Sequence, residues 1–148
     1  MAPITIYGMR VSAPCRNLLM VSEILGLEYE LKLVILKKEE NKTPEYLKLN
    51  PHHTVPTLVD GDFVTSESRP AAAYLITKHG GEKRKQLYPE DPETRCLIDQ
   101  RMYFDMGTLY KAFGDCVVGS KNGTGLTLCP LANLTCLISV PDHDGPSE

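Results

Sequence analysis

Asn50-Pro51-His52-His53-Thr54-Val55-Pro56-Thr57-Leu58 passes from a polar loop into an apolar run through a Val-Pro step, and Glu67-Ser68-Arg69 follows as a second polar cluster. A proline cannot donate a ladder hydrogen bond, so Pro56 belongs at the start of a strand. A cis bond before it would turn the chain sharply and leave the backbone groups of Val55 facing outward. An extended peptide could then pair with Val55 as an added strand. Glu67 and Ser68, opening the next helix, would meet its other end.

Working outward, Ile4-Thr5-Ile6-Tyr7 reads as a short strand rich in β-branched and aromatic residues. Ser12-Ala13-Pro14-Cys15 opens a helix, with Ser12 near the N-cap and Pro14 in the first turn. Leu18, Leu19, Val21, Ile24 and Leu25 give this helix an apolar face, and Gly26 stops it. Residues 28–36 alternate as a second strand, 37–42 form a charged loop, and Thr43-Pro44-Glu45 starts a short helix ending near Leu49. Thr57 to Val59 is a third strand, Asp60-Gly61 a hairpin signal, and Phe63-Val64 a fourth strand. Ser66 to His79 reads as a helix closed by Gly80-Gly81. The order is β-α-β-α-β-β-α over residues 1–81, an α/β fold with a mixed four-stranded sheet. Residues 82–90 read as a polar linker. Asp91-Pro92-Glu93 then caps a helix predicted over 91–113.

The remaining residues, 114–148, change character. They carry five charged residues and three of the five cysteines, and helical periodicity is lost. This stretch reads as a divergent tail with a disordered end. Within it, Asn122-Gly123-Thr124 and Asn133-Leu134-Thr135 fit a glycosylation sequon, read here as chance because no secretion signal is visible.

A net charge of -3 over 148 residues gives no reason to expect nucleic acid. No apolar run approaches the roughly 20 residues needed to span a bilayer, so no membrane partner is expected. The cysteines form no CxxC and no Cys/His pairing, so neither a zinc site nor a disulfide framework is expected, and the cytoplasm is the default compartment.

Residues 1–113 resemble a cytosolic glutathione transferase of the insect delta and epsilon type. The matching segments are Ser12-Ala13-Pro14-Cys15-Arg16, the stretch from Leu49 to Leu58, Glu67-Ser68-Arg69, Leu87-Tyr88-Pro89, and the run from Gln100 to Tyr110. The resemblance implies a thioredoxin-like, glutathione-binding domain followed by an all-helical domain, usually within a homodimer. Here the helical domain shows one recognisable helix, so the resemblance reads as truncated and divergent at its C-terminal end.

The resemblance implies these roles. Ser12 matches the catalytic serine, a hydroxyl that donates to the glutathione sulfur and favours its thiolate. A free thiol titrates at about 8.5, and lowering that by about 2 units takes roughly 2.7 kcal/mol. A charge-assisted hydrogen bond and the helix N-terminus together reach that figure. Val55 would pair with the cysteinyl backbone, with Pro56 as the cis-proline. Glu67 would receive the γ-glutamyl ammonium, and Ser68 its carboxylate. Arg69 would support that end, while His53 would reach the glycine end. Asn41 stands where the family often has histidine, a donor without charge. Pro70 is unusual in its place, and is tolerated only within a first helical turn.

Taken singly these residues have plainer readings. Ser12 alone is an N-cap, Glu67 alone a first-turn acid, and His52 a solvated loop residue. Cys15 reads as structural, and Tyr103, Met106 and Tyr110 as core or interface positions. Spacing to Val55-Pro56 and Glu67-Ser68 is what favours function for Ser12. The implied activity is attack of the glutathione thiolate on small electrophiles, a detoxification reaction, weakened here by the missing helices. The alternative is a non-catalytic glutathione-binding module, or one that forms a heterodimer with a full-length subunit. A thiol-disulfide oxidoreductase using Cys15 is a third reading.

Overall fold

A computed structural model describes residues 4–119 of the chain. The first elements are β1 (Ile4–Gly8), α1 (Ala13–Leu25), β2 (Tyr29–Leu33), α2 (Pro44–Leu49), β3 (Thr57–Asp60), β4 (Phe63–Ser66) and α3 (Ser68–His79). The sheet runs β2-β1-β3-β4, with β1 parallel to β2 and the other pairs antiparallel. The order of elements anticipated this mixed four-stranded sheet, and the arrangement is the thioredoxin-like one that the resemblance implied.

Side-chain alternation along β1 decides what each sheet face meets. Ile4 and Ile6 are buried with Leu18 and Leu19 of α1, Leu58 of β3, and Ala71, Ala72 and Leu75 of α3. Tyr7, of the opposite parity, meets Tyr46 of α2 edge-on with ring centroids 6.1 Å apart. α1 and α3 therefore share one face, and α2 lies toward the other.

Local chemistry fixes the ends. Gly26 takes a left-handed φ of 72°, and the N–H groups of Gly26 and Leu27 close α1 on the carbonyls of Glu23 and Ser22. Gly61, at φ 62°, makes the tight β3–β4 turn. Asp60, at the end of β3, is buried and accepts at Oδ2 from Tyr74 (2.9 Å) and Lys78 (2.9 Å), with His79 Nε2 at 2.7 Å, tying the sheet to α3.

Several boundaries differ from the sequence expectation. β2 ends at Leu33, not 36, because the Ile35 N–H is taken by the Glu40 carboxylate at 2.7 Å. The charged loop that follows holds two 3-10 turns, Leu36–Lys38 and Glu40–Lys42. α3 begins at Ser68, not Ser66, because Ser66 pairs with Thr57 and Glu67 has a positive φ. Pro70 is thus the third residue of α3, where its missing N–H has no intrahelical acceptor to lose. Part of the polar linker is helical: a 3-10 turn, Gly81–Lys83, leads into α4 (Arg84–Leu87).

The chain divides into two compact units at Arg95/Cys96, inside α5 (Pro92–Phe104). Beyond α5 comes a π-helical segment, Asp105–Leu109, with Gly107 at its centre. α6 (Tyr110–Gly119) follows, so the helical run passes the expected end at Phe113. In this second unit Leu97, Tyr103, Met106, Tyr110 and Phe113 are exposed. The sequons and the tail beyond 119 lie outside the described residues.

Candidate functional site

One rung of the sheet gathers the polar segments. Tyr7 of β1 pairs with Thr57 of β3, and Thr57 pairs with Ser66 of β4. The chain leaves this rung toward Ser12 after β1, arrives at it through Val55-Pro56 before β3, and leaves it for Glu67-Ser68 after β4. Three stretches distant in sequence thereby reach one end of the sheet. The approach is close: a Cβ added at Gly8 would lie 2.6 Å from Cys15 Sγ and 3.8 Å from the Pro56 Cα.

Ser12 is half-buried at the N-cap of α1. Its Oγ accepts the Cys15 N–H at 3.4 Å, and its own N–H donates to the Met9 carbonyl at 3.1 Å. Because that hydroxyl is used as an acceptor, its single proton stays available to an acceptor in front of the helix. Cys15 is fully buried beneath Gly8 and, among the described residues, forms no disulfide.

The Val55–Pro56 peptide is cis. The loop before it is held by buried polar side chains. Asn41 Nδ2 donates to the His53 carbonyl at 2.6 Å, and Asn50 Oδ1 accepts the His52 N–H at 3.0 Å. Asn50 Nδ2 and Tyr46 Oη reach the Thr54 carbonyl at 2.9 and 2.6 Å. Asn41 therefore spends its amide nitrogen on the loop, and its buried Oδ1 has no hydrogen-bond partner among the described residues. His52 and His53 are both exposed, and His53 has a φ of 48°.

Glu67 is exposed at the N-cap of α3 with φ 69° and ψ 106°, and its side chain makes no capping hydrogen bond. It is therefore not a first-turn acid. A non-glycine residue in that region costs on the order of 1–3 kcal/mol, and such strain clusters at ligand clamps and active sites. Ser68, 2% exposed, accepts at Oγ from Arg69 at 2.9 Å. Sequence reasoning gave no role to Tyr46, Asn50 or Gly8. The signal for the first two was a Tyr and an Asn at helix spacing before the Val-Pro step.

An open groove of about 650 Å³ lies elsewhere, along α1 between Arg10, Arg16, Met20, Ile24 and Tyr29. Among the described residues no group of three or more His, Cys, Asp or Glu side chains is placed to hold a metal. No helix among them is long and apolar enough to cross a membrane.

Comparison with known proteins agrees with the fold. The glutathione S-transferase N-terminal domain family matches residues 6–83. A delta-class glutathione transferase of Nilaparvata lugens is 50% identical, with a TM-score of 0.73 over 77% of this chain and 53% of that one. An epsilon-class enzyme of the housefly, Musca domestica, is 38% identical, with a TM-score of 0.70 over 89% of this chain and 55% of that one. A glutathione transferase homologue of Drosophila mojavensis, solved with bound glutathione, is 43% identical, with a TM-score of 0.69 over 72% and 48%. This chain spans about half the length of these relatives. From the N-terminal domain match and these delta- and epsilon-class neighbours, the chain belongs to the glutathione S-transferase family.

Proposed function

We propose that this chain binds glutathione at the sheet rung described above and acts as a glutathione transferase domain. Val55 pairs its backbone with the cysteinyl part. Glu67 takes the γ-glutamyl ammonium, and Ser68, backed by Arg69, takes the γ-glutamyl carboxylate. His53 lies toward the glycine end, on a loop carbonyl that Asn41 fixes. The Ser12 hydroxyl donates to the sulfur at the N-terminus of α1, whose partial charge favours the thiolate. The thiolate sulfur then forms a bond to the electrophilic carbon of a small molecule, and the leaving group departs with the electron pair of the broken bond. Ser12 remains a hydrogen-bond donor throughout and is never itself the nucleophile.

The observation that carries this reading is the register Tyr7–Thr57–Ser66, which brings Ser12, Val55 and Glu67 to one end of the sheet. Conjugation is expected to be slower than in longer relatives, since the sequence after Phe113 departs from the family pattern. Calorimetric titration of the 148-residue chain with glutathione tests the reading. Saturable heat is expected, and none would overturn it.

A second reading is favoured by the exposed apolar side chains of the second unit, among them Leu97, Tyr103 and Phe113. They suit a module that pairs with a full-length transferase subunit in the cytoplasm. Such a subunit that fails to co-purify when co-expressed with this chain would dismiss it.

A further inference from the structure

We propose that Tyr46 is a positioning residue whose hydroxyl fixes the Thr54–Val55 peptide and thereby sets how tightly glutathione is held. This rests on the reading above, in which Val55 pairs with the ligand. Tyr46 lies in α2 and is 5% exposed, with its Oη 2.6 Å from the Thr54 carbonyl and 2.9 Å from Thr57 Oγ1. A carbonyl only accepts, so the single phenol proton goes to Thr54. The contact with Thr57 then has one consistent assignment: the threonine hydroxyl donates to Oη. Thr57 Oγ1 in turn accepts from Asn50 Nδ2 at 3.1 Å.

Donation therefore runs in one direction, from Asn50 to Thr57 to Tyr46 to the Thr54 carbonyl. Asn50 also donates to that carbonyl directly at 2.9 Å, so two donors occupy its two lone pairs. The Thr54–Val55 peptide is trans and planar, so a fixed carbonyl aims the Val55 N–H in the opposite direction. That N–H belongs to the residue placed against the ligand backbone. Burial pushes the Tyr46 phenol up from its ordinary value, with Thr57 and Asn50 pulling the other way, so it stays a donor at neutral pH. Removing Asn50 would break contacts to Thr54, Thr57 and His52 together. Tyr46→Phe removes one oxygen and leaves the ring against Tyr7.

The experiment compares the intact chain with Tyr46→Phe, using Ile4→Val as a control for general destabilisation. Ile4 is buried at the far end of β1, paired with Tyr29. In Tyr46→Phe, glutathione is expected to bind about 3- to 10-fold more weakly by calorimetry, the span of one net hydrogen bond. Amide exchange at Val55 should quicken by a similar factor, with exchange in α3 unchanged. Ile4→Val should lower the melting temperature comparably and leave affinity alone. Unchanged affinity in Tyr46→Phe, or equal weakening in Ile4→Val, would overturn the proposal. If the parent chain takes up no glutathione, the binding reading falls by itself. Exchange at Val55 then decides whether Tyr46 holds the peptide, and an unchanged rate refutes it.

Discussion

Ser12 has two duties that pull on different measurements. As the N-cap it accepts from Cys15, and in the proposed reaction it donates to sulfur. Replacing it with alanine removes both. Loss of the donor should raise the titration of bound glutathione toward the free value of about 8.5 and slow conjugation about 10- to 100-fold at neutral pH. Loss of the cap should cost about 1 kcal/mol of stability. Thiolate absorbance against pH reads the first effect and thermal melting the second, and Ser12→Thr should largely restore both. Affinity for glutathione should change little, because in the proposed site Val55, Glu67 and Ser68 hold the rest of the molecule. If the bound thiol titrates identically in wild type and Ser12→Ala, Ser12 has no part in activation.

Two contacts between elements carry separate predictions. At the β1–α1 junction, Gly8→Ala would place a Cβ 2.6 Å from the buried Cys15 Sγ, so overpacking should cost about 1–3 kcal/mol in urea melts. Adding Cys15→Ala removes that sulfur, and the double variant should be more stable than the summed single effects predict. At the β3–α3 junction, burial favours protonation of Asp60, but donation from His79, Lys78 and Tyr74 outweighs it and holds the carboxyl at about 2, against an ordinary 3.8. A depressed folded value stabilises the fold in full above pH 3.8, and that contribution is lost as pH falls toward about 2. Asp60→Asn should destabilise by about 1–2 kcal/mol at pH 7, most of it through His79, because the Lys78 side chain is 45% exposed and screened. Its stability should also vary less than wild type across that acid window in pH-dependent denaturation.

The same scale shows what the sequence made legible. Alternation, the Ser12 and Gly26 ends and the Asp60-Gly61 turn sufficed for the order β-α-β-α-β-β-α, because each is a local signal. The Val-Pro step was readable for a similar reason: proline restricts its own neighbourhood. The hydrogen bonds of Tyr46 and Asn50 were not readable, since they depend on which loop atoms α2 meets once folded. The positive φ of Glu67 was also hidden, because glutamate carries no preference for it, and it displaced the start of α3 by two residues. The Glu40 carboxylate that ends β2 likewise acts through space.

For the molecule as a whole, ligand and fold are linked. A ligand that binds only the native state adds about 2.7 kcal/mol at 100 times its dissociation constant. Glutathione should therefore raise the melting temperature in a concentration-dependent way, by several degrees at that excess. A melting temperature indifferent to millimolar glutathione would contradict native-state binding. The rung Tyr7–Thr57–Ser66 adds a practical consequence. The proposed ligand contacts require β1, β3 and β4 all to be paired, so a chain missing any one of these pairings has no complete cradle. Retention on immobilised glutathione would then act as a quality filter in purification, sorting natively folded molecules from soluble misfolded ones without any measurement of activity.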